Sequence, residues 1–304
     1  MMFPGAANLW RCVRVGLLCC SPLLLAQPMT GLRDDDGRPA LLGIPAVRVV
    51  TLAPSLTELV YAAGAGDKLA GVSAFSDYPE VARRLPQVAD AAGISWEGLL
   101  AVKPDLVLAW KGGTRQADIA RLNDFGVNVF VIEIKQLDDV TRALRSIGKL
   151  VGRLDSAETA AREFQRQLTI LRGANAGKAQ VKIFFEISSK PLMTVNREHV
   201  ISEMISLCGG SNVFADAPTL VSEPSRELLL MRSPDAILHG KSSTGKSRAD
   251  VSAYAGLSAV AGGRVYGITA DYVFRPGPRL LLATGEICAA LDRSRANMKE
   301  QMAR

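Results

Sequence analysis

The chain has 304 residues, of which 48% are hydrophobic and 22% charged, and its 36 Lys and Arg residues outnumber its 30 Asp and Glu residues for a net charge of +6. So much apolar material excludes a disordered chain, and the length allows one large domain or two of medium size. Because the basic residues are spread along the chain without a long block, the charge pattern also argues against a nucleic-acid partner.

The first 26 residues have the pattern of a secretory signal peptide. Arg11 and Arg14 precede an apolar run over residues 15–26 that is too short to span a bilayer, and this segment contains no acidic residue. We predict cleavage after Ala26, which leaves 34 basic and 30 acidic residues and a net charge of +4 in an exported, periplasmic chain. The alternatives are an uncleaved anchor and a lipoprotein, and Leu18 before Cys19 argues against lipid attachment because a small residue is favoured there.

Cysteine usage agrees with export. Three of the five cysteines lie in the predicted leader, so the exported chain keeps Cys208 and Cys288. In an oxidising compartment two thiols most simply pair, and the alternative is two separate buried thiols. We predict no metal site, because these cysteines and the two histidines, His199 and His239, lack the spacing of metal ligands.

The residues that directly follow the leader differ in composition and periodicity from the chain that begins at residue 47. Residues 27–46 are rich in Pro, Gly and Asp without periodicity, which predicts a flexible, disordered tether. From residue 47 onward, short β-branched runs alternate with helical stretches, which predicts an α/β lobe with a mostly parallel sheet. The predicted strands cover residues 47–52, 69–72, 106–110 and 127–132, and the predicted helices start at Pro54 and cover residues 114–125 and 137–151.

A long helix is predicted next, capped by Ser156 and rich in helix-forming residues. Strand-like runs then resume at residues 181–185, 236–238 and 265–268. We therefore predict two Rossmann-like α/β lobes joined by one rigid helix, with a largely preformed ligand cleft between them. The predicted division is an N-terminal lobe at 47–153, a linking helix at 154–177 and a C-terminal lobe at 178–304.

An internal repeat supports two lobes. Residues 97–105 and 227–235 both read Glu-x-Leu-Leu-x-x-x-Pro-Asp, and each follows a Ser-x pair. This pattern predicts a short Ser-capped helix that ends before Pro and leads into a strand, with Glu97 or Glu227 in its first turn. Since a glutamate there also interacts favourably with the helix dipole, the repeat alone indicates duplication of structure.

Signatures of catalysis are absent from the sequence. It contains no phosphate-binding Gly-x-x-x-x-Gly-Lys-Ser/Thr loop, no strand-linked Gly-x-Gly-x-x-Gly and no Gly-x-Ser-x-Gly. The Gly-Lys-Ser fragments within residues 240–247 lack the leading glycine and indicate a polar loop. His199 and His239 are interpreted as structural residues. We therefore predict a protein that is not an enzyme and has no catalytic cofactor.

Several segments resemble the periplasmic cobalamin (vitamin B12) binding proteins of ABC importers. The similar segments, within about residues 47–292, are residues 49–59, 71–79, 103–113, 208–214, 225–227 and 269–272. Ser-Asp-Tyr-Pro at 76–79 and Ala-Trp-Lys-Gly-Gly at 109–113 are fairly specific to that group, whereas Thr-Glu-Leu at 57–59 and Lys-Pro-Asp at 103–105 also occur in haem and ferric-siderophore binding proteins. The resemblance implies a monomer that delivers cobalamin or a related corrinoid to an inner-membrane permease with its ATPase subunits.

The resemblance also implies roles for individual residues. It implies a disulfide between Cys208 and Cys288, and it implies that Glu97 and Glu227 dock arginines of the permease, one glutamate per lobe. It implies no protein ligand to cobalt. The ligand-facing positions that it implies are Phe75, Trp110, Asp271, Tyr272, Val273, Phe274 and Arg275.

Four positions depart from the pattern of the best-studied members. Ala91 and Val221 replace aromatic residues, Phe75 replaces a usual tyrosine, and Tyr272 replaces a usual tryptophan. The lost aromatic surface would suit weaker binding, a corrinoid with a different lower base, or another flat ligand. One alternative is a haem or ferric-siderophore carrier of the same fold, in which haem would require an axial His or Tyr such as His199 or Tyr272. A second alternative is a cell-envelope enzyme acting on a cofactor-like substrate.

Overall fold

The computed structural model describes residues 31–242 and 254–303, so the predicted signal peptide and part of the predicted polar loop at 240–247 lie outside the described residues. Within these ranges the strands are β1 (Val49–Thr51), β2 (Leu69–Ser73), β3 (Gln87–Asp90), β4 (Gly93–Ile94), β5 (Leu106–Trp110), β6 (Asn128–Ile132), β7 (Val181–Glu186), β8 (Ser188–Ser189), β9 (Leu192–Val195), β10 (Gly210–Asn212), β11 (Val221–Ser222), β12 (Ala236–Lys241) and β13 (Val265–Thr269). The helices are α1 (Pro54–Ala62), α2 (Trp96–Ala101), α3 (Gln116–Asp124), α4 (Asp138–Val151), α5 (Leu154–Asn175), α6 (Val200–Leu207), α7 (Arg226–Arg232), α8 (Ser258–Ala261), α9 (Ala270–Val273) and α10 (Leu280–Met302).

The N-terminal lobe is built on a sheet that is buried on both faces. In the described chain this sheet has six strands in the order β4-β3-β2-β1-β5-β6, parallel except for the β3–β4 pair. Successive residues of β1 pack into different hydrophobic clusters, Val49 with α1 and α4 on one face and Val50 with Leu99 of α2 and Leu122 of α3 on the other. Helices on both faces explain why the strands read as continuous apolar runs rather than as alternating ones.

The C-terminal lobe repeats this plan with a smaller sheet. Its four described parallel strands have the order β10-β7-β12-β13, and an antiparallel sheet of β11, β9 and β8 lies beside them. Cys208, which follows α6, forms a disulfide with Cys288 of α10, and both residues are buried. The predicted disulfide is therefore confirmed. It covalently joins two helices of the same lobe across 80 residues of chain.

Helix α5 connects the lobes. Its buried residues Ala157, Ala161, Phe164 and Leu168 recur every three or four positions, so one face of the helix packs against the core. The helix begins at Leu154, and Ser156 therefore lies inside its first turn rather than capping it. Among the helices that the structure describes, none combines the length and the apolar character that crossing a bilayer requires.

The expectation of a disordered tether over residues 27–46 is wrong for residues 31–46. Ala40, Leu42 and Ala46 are buried in the main hydrophobic cluster, and Asp34 is also buried. The Asp35 amide donates to the Val131 carbonyl oxygen over 3.0 Å, and Asp35 Oδ2 accepts from the Glu133 amide over 2.6 Å. Asp34 Oδ2 also accepts from the Val131 amide over 3.3 Å, so Asp residues that resemble a solvated linker in the sequence are hydrogen-bond acceptors along β6 and just after it.

Candidate functional site: the inter-lobe cleft and two exposed helix starts

A cavity of about 240 Å³ lies between the lobes. Its lining residues are Trp110, Gly112, Glu133, Ile134, Lys135, Ile187, Glu198, His199, Val200, Leu220, Val273, Phe274 and Pro276. Three of the predicted ligand-facing residues, Trp110, Val273 and Phe274, are among them. Because pockets that enclose drug-sized ligands usually exceed about 300 Å³, a larger ligand has to extend from this cavity into the open cleft.

Trp110 is the last residue of β5, and Gly112 and Gly113, which follow it, pack against its ring. A Cβ atom on Gly112 would lie 2.7 Å from the Trp110 ring, and one on Gly113 would lie 2.4 Å from it. Both distances are shorter than any real contact of a Cβ atom, so only glycine lets the chain turn tightly around the indole. The Ala-Trp-Lys-Gly-Gly motif therefore encodes a packed tryptophan in the cavity lining.

Phe75 lies on the loop after β2 and is not among the residues that line the cavity. Its backbone is left-handed, with φ of 62°, and its side chain is 74% exposed. Buried hydroxyls hold the loop in place, since Thr57 Oγ1 donates to Ser76 Oγ over 3.0 Å and Ser73 Oγ lies 3.2 Å from Ser76 Oγ. An exposed aromatic side chain on a strained backbone that the neighbouring residues fix is typical of a recognition site.

Charged residues of both lobes meet beside the cavity. We call Glu58, Asp77, Asp271, Arg275 and Arg279 the inter-lobe ionic cluster. Arg275 Nη1 donates to Asp77 Oδ1 of the other lobe over 2.6 Å, and Arg275 Nη2 lies 2.9 Å from Asp271 Oδ1. Arg279 Nε donates to Glu58 Oε2 over 2.9 Å, and its Nη2 donates to Glu58 Oε1, so this pair is bidentate. The predicted ligand-facing residues Asp271 and Arg275 are thus engaged in ion pairs, one of which joins the lobes.

Aromatic rings flank this cluster. The Arg279 guanidinium carbon lies 4.3 Å from the ring centroid of Tyr78 and 5.2 Å from that of Tyr272, so residues of both lobes stack on one cation. Tyr272, a predicted ligand-facing residue, packs here and not in the cavity lining.

The carboxylates of the cluster respond differently to their surroundings. Burial raises the pKa of Glu58, and the hydrogen bond and charge of Arg279 and the charge of Arg275 only partly oppose this. Burial also acts to raise the pKa of Asp77, but the hydrogen bond and charge of Arg275 and the charge of Arg83 outweigh it and lower that pKa. With Arg83 Nη2 3.6 Å from Asp77 Oδ2, three carboxylates face three guanidinium groups in this described part of the cleft. Carboxylates and guanidinium groups are therefore equal in number once Arg83 is counted with the inter-lobe ionic cluster.

His199, which the sequence predicts to be a structural residue, also lines the cavity. Its Nδ1 accepts a hydrogen bond from the Ile201 amide over 3.1 Å, which caps α6. Burial lowers the pKa of His199 to about 4, so the ring is neutral at pH 7. Within residues 31–242 and 254–303, no three His, Cys, Asp or Glu side chains are grouped closely enough to bind a metal ion.

The repeated motif forms the predicted helices in both lobes. Ser95 Oγ accepts from the Gly98 amide over 3.3 Å at the start of α2, and Ser225 Oγ accepts from the Leu228 amide over 3.2 Å at the start of α7. Glu97 and Glu227 lie in the respective first turns and are exposed. Hydrogen bonds from its own backbone amide and from Ser225 lower the pKa of Glu227.

Ala91 and Val221, which replace family aromatics, both lie outside the cavity lining. Ala91 is exposed at the turn between β3 and β4 and borders a separate surface depression with Gly93 and Arg115. Val221 is 37% exposed on β11, next to Leu220, which does line the cavity. The sequence did not single out the apolar residues Ile134, Ile187, Val200 and Pro276, because buried strand ends and loops offer no distinguishing pattern.

Comparison with known proteins agrees with this architecture. A vitamin B12-binding protein of Pectobacterium carotovorum subsp. carotovorum is 39% identical over 246 residues, which cover 80% of this chain and 88% of that protein. A vitamin B12-binding protein of Vibrio cholerae is 34% identical over 281 residues, covering 92% of this chain and 96% of that protein.

Solved structures extend the comparison. The crystal structure of the periplasmic vitamin B12 binding protein BtuF of Vibrio cholerae matches with a TM-score of 0.75 and 35% identity, covering 83% of this chain and 98% of that one. The periplasmic heme-binding protein BhuT in complex with two hemes matches with a TM-score of 0.71 and 24% identity, covering 81% of this chain and 98% of that one, and shares the fold. These matches confirm the predicted two-lobed, mostly parallel α/β fold. The family model described as periplasmic binding protein matches residues 49–272, and the chain belongs to that family.

Proposed function

We propose that the exported protein binds cobalamin or a related corrinoid in the inter-lobe cleft and delivers it to an inner-membrane ABC importer without chemical change. The observation that carries this proposal is an aromatic, mostly apolar cleft, with Trp110 and Phe274 at its wall, in a chain whose near full-length relatives are vitamin B12-binding proteins. Flat aromatic faces with a few polar groups suit a large, partly flat ring that carries amide side chains.

The charges around the cleft support a ligand with neutral side chains. Arg275 and Arg279 are paired within the inter-lobe ionic cluster, while Lys111 and Lys135 lie 3.4 Å and 3.5 Å from the Glu133 carboxylate. Each of these cations already has an anionic partner. A haem carboxylate that bound Arg275 or Arg279 would have to displace a carboxylate from a largely buried guanidinium group, which costs free energy, whereas the amides of a corrin ring do not.

Calorimetric titration with cyanocobalamin tests the proposal. The protein without its leader should bind with micromolar or tighter affinity, and Trp110→Ala should weaken binding by at least tenfold because the indole contributes a large apolar contact. Trp96→Ala is the matched control, since Trp96 lies on α2, outside the cavity lining, and stacks with Arg121 at 4.3 Å. No heat of binding at micromolar concentration would overturn the corrinoid assignment.

The same protein titrated with haemin distinguishes the haem alternative. Tight binding with a Soret shift that is lost on replacing Tyr272 or His199 would favour a haem carrier. Recovery of unchanged cyanocobalamin after prolonged incubation is the result expected for a receptor, and a modified corrinoid would favour the enzyme alternative.

The permease is the proposed partner, and Glu97 and Glu227 are the proposed docking residues. Two exposed carboxylates, one at the start of α2 and one at the start of α7, suit a two-point contact with arginines of the importer. Glu97→Arg and Glu227→Arg should abolish transport and leave corrinoid affinity unchanged. Glu163→Arg, on the exposed face of α5, is the control and should leave both unchanged. Loss of affinity in either docking variant would instead assign that residue to the pocket or the fold.

Export and monomeric state complete the proposal. Membership of a periplasmic family accords with a leader that is removed after Ala26. The mass of the protein recovered from the periplasm should match a chain starting at Gln27, and sedimentation should give a monomer. An intact N-terminus in the membrane fraction would favour the uncleaved anchor.

A further inference from the structure

His199 has two roles that its position allows to be separated. Its Nδ1 accepts from the Ile201 amide over 3.1 Å and so caps α6. The same imidazole borders the inter-lobe cavity, together with Trp110, Val273 and Phe274. The cap therefore holds a polar ring at the wall of an otherwise mostly apolar cleft.

The cap also determines which ring nitrogen carries the proton. A neutral imidazole has one donor and one acceptor nitrogen, and an amide N–H can only donate. Because the Ile201 amide donates to Nδ1, the proton of the neutral His199 ring is on Nε2. Burial lowers the pKa of His199 to about 4, so this tautomer, and not the doubly protonated cation, is present at pH 7.

The Nε2–H group is available to a ligand. Across the described chain no residue accepts a hydrogen bond from His199 Nε2, and Nε2 is not among the fully enclosed polar atoms without a partner. It is therefore an accessible donor at the boundary of the cavity and of the adjoining polar groove, which is lined in part by Ser202 and Asn212.

We propose that His199 is a specificity residue whose Nε2–H donates a hydrogen bond to an oxygen acceptor of the bound corrinoid, either an amide carbonyl or the nucleotide phosphate. This inference rests on the proposed corrinoid function. It excludes His199 as a cobalt or iron ligand through Nε2, because a metal-binding Nε2 has to be deprotonated and would require the proton on Nδ1, where the Ile201 amide already donates.

Two substitutions separate ligand recognition from helix capping. Asparagine is among the best N-cap residues, so His199→Asn keeps α6 capped but withdraws the donor from the cleft, whereas His199→Ala loses both. We expect both variants to bind cyanocobalamin about tenfold more weakly, and only the alanine variant to have a lowered Tm. Wild-type affinity in the asparagine variant would show that His199 serves only as a cap and would overturn the proposal.

Two further measurements define the acceptor and test for metal ligation. If the asparagine variant loses affinity for cobalamin but not for cobinamide, which lacks the nucleotide, the acceptor is the phosphate, and loss with both ligands identifies a corrin amide.

The visible spectrum of aquacobinamide bound to the wild type should equal that bound to the variant. A histidine–cobalt spectrum present only in the wild type would overturn the proposal. Absence of binding by the wild type would overturn both this proposal and the corrinoid function, whereas wild-type binding with an unaffected asparagine variant overturns this one alone.

Discussion

The inter-lobe ionic cluster makes a quantitative prediction through Glu58, whose side chain is only 2% exposed. Glu58→Gln keeps the shape of the side chain but removes its negative charge. Arg279 then loses its bidentate carboxylate, and Arg275, whose Nη1 lies 3.8 Å from Glu58, loses part of its neutralisation. Removing one partner of a buried ion pair costs about 3–5 kcal/mol, because the remaining charge stays desolvated and unpaired.

The assay is thermal unfolding followed by circular dichroism. For a chain of this size about 1 kcal/mol corresponds to about 2 °C, so Glu58→Gln should lower the Tm by about 6–10 °C. Glu158→Gln is the control, because Glu158 pairs with Arg145 over 2.7 Å on the surface with 35% of its side chain exposed. A surface pair of this kind contributes less than about 1 kcal/mol, so the control should lower the Tm by less than about 2 °C.

A double variant tests the cause. Glu58→Leu combined with Arg279→Met replaces the charged pair by apolar groups and should be more stable than Glu58→Leu alone, since no unpaired guanidinium remains from that pair. If Glu58→Gln and Glu158→Gln unfold at the same temperature, or if the double variant is no more stable than the single one, the reasoning about buried charge is refuted.

Three further predictions do not depend on the inter-lobe ionic cluster. Replacing Cys208 and Cys288 by serine removes a link across 80 residues and should cost about 4.5 kcal/mol in denaturant unfolding, and a cost below about 1 kcal/mol would contradict the loop-entropy estimate. Gly113→Ala should weaken corrinoid binding in calorimetry by displacing the adjacent indole, whereas Gly173→Ala, with open space around its Cβ in α5, should leave affinity unchanged. Because the pKa of His199 falls from 6.5 in the unfolded chain to about 4 in the folded one, its contribution to stability is complete above pH 6.5 and about 3 kcal/mol is lost as the pH falls to 4. His199→Asn should therefore lose less stability than the wild type between pH 7 and pH 4, and an equal loss would contradict the assignment.

The parts of the fold that the sequence predicts well are those with strong local patterns. Apolar β-branched runs identify the central strands β1, β5, β6 and β7, because strands covered on both faces need no polar alternation. The Ser-capped repeat identifies the starts of α2 and α7, because Ser95 and Ser225 directly precede their first residues and cap them. Two-residue strands such as β4 and β8 carry too little pattern to be found.

The candidate site is harder to predict from the sequence, because contacts between distant residues determine which side chains are paired and which line the cavity. Asp271 and Arg275 look like free polar ligands in the sequence, yet their charges are paired, Arg275 with a residue 198 positions away. The sequence around Glu58 contains no pattern that predicts its pairing with Arg279, which lies 221 positions away. His199 looks structural because its neighbours are polar, and only the folded chain places it beside Trp110.

The segment at residues 31–46 has a consequence for behaviour at high concentration. Strand β6 forms one edge of the six-stranded sheet, and an uncovered edge offers its free amides to strands of other molecules. Here Asp34 Oδ2 accepts from the Val131 amide over 3.3 Å and Asp35 Oδ2 from the Glu133 amide over 2.6 Å. The carboxylates thereby occupy donors that intermolecular strand pairing would use. The stretch that resembles a dispensable linker thus withholds these edge donors from strands of other molecules.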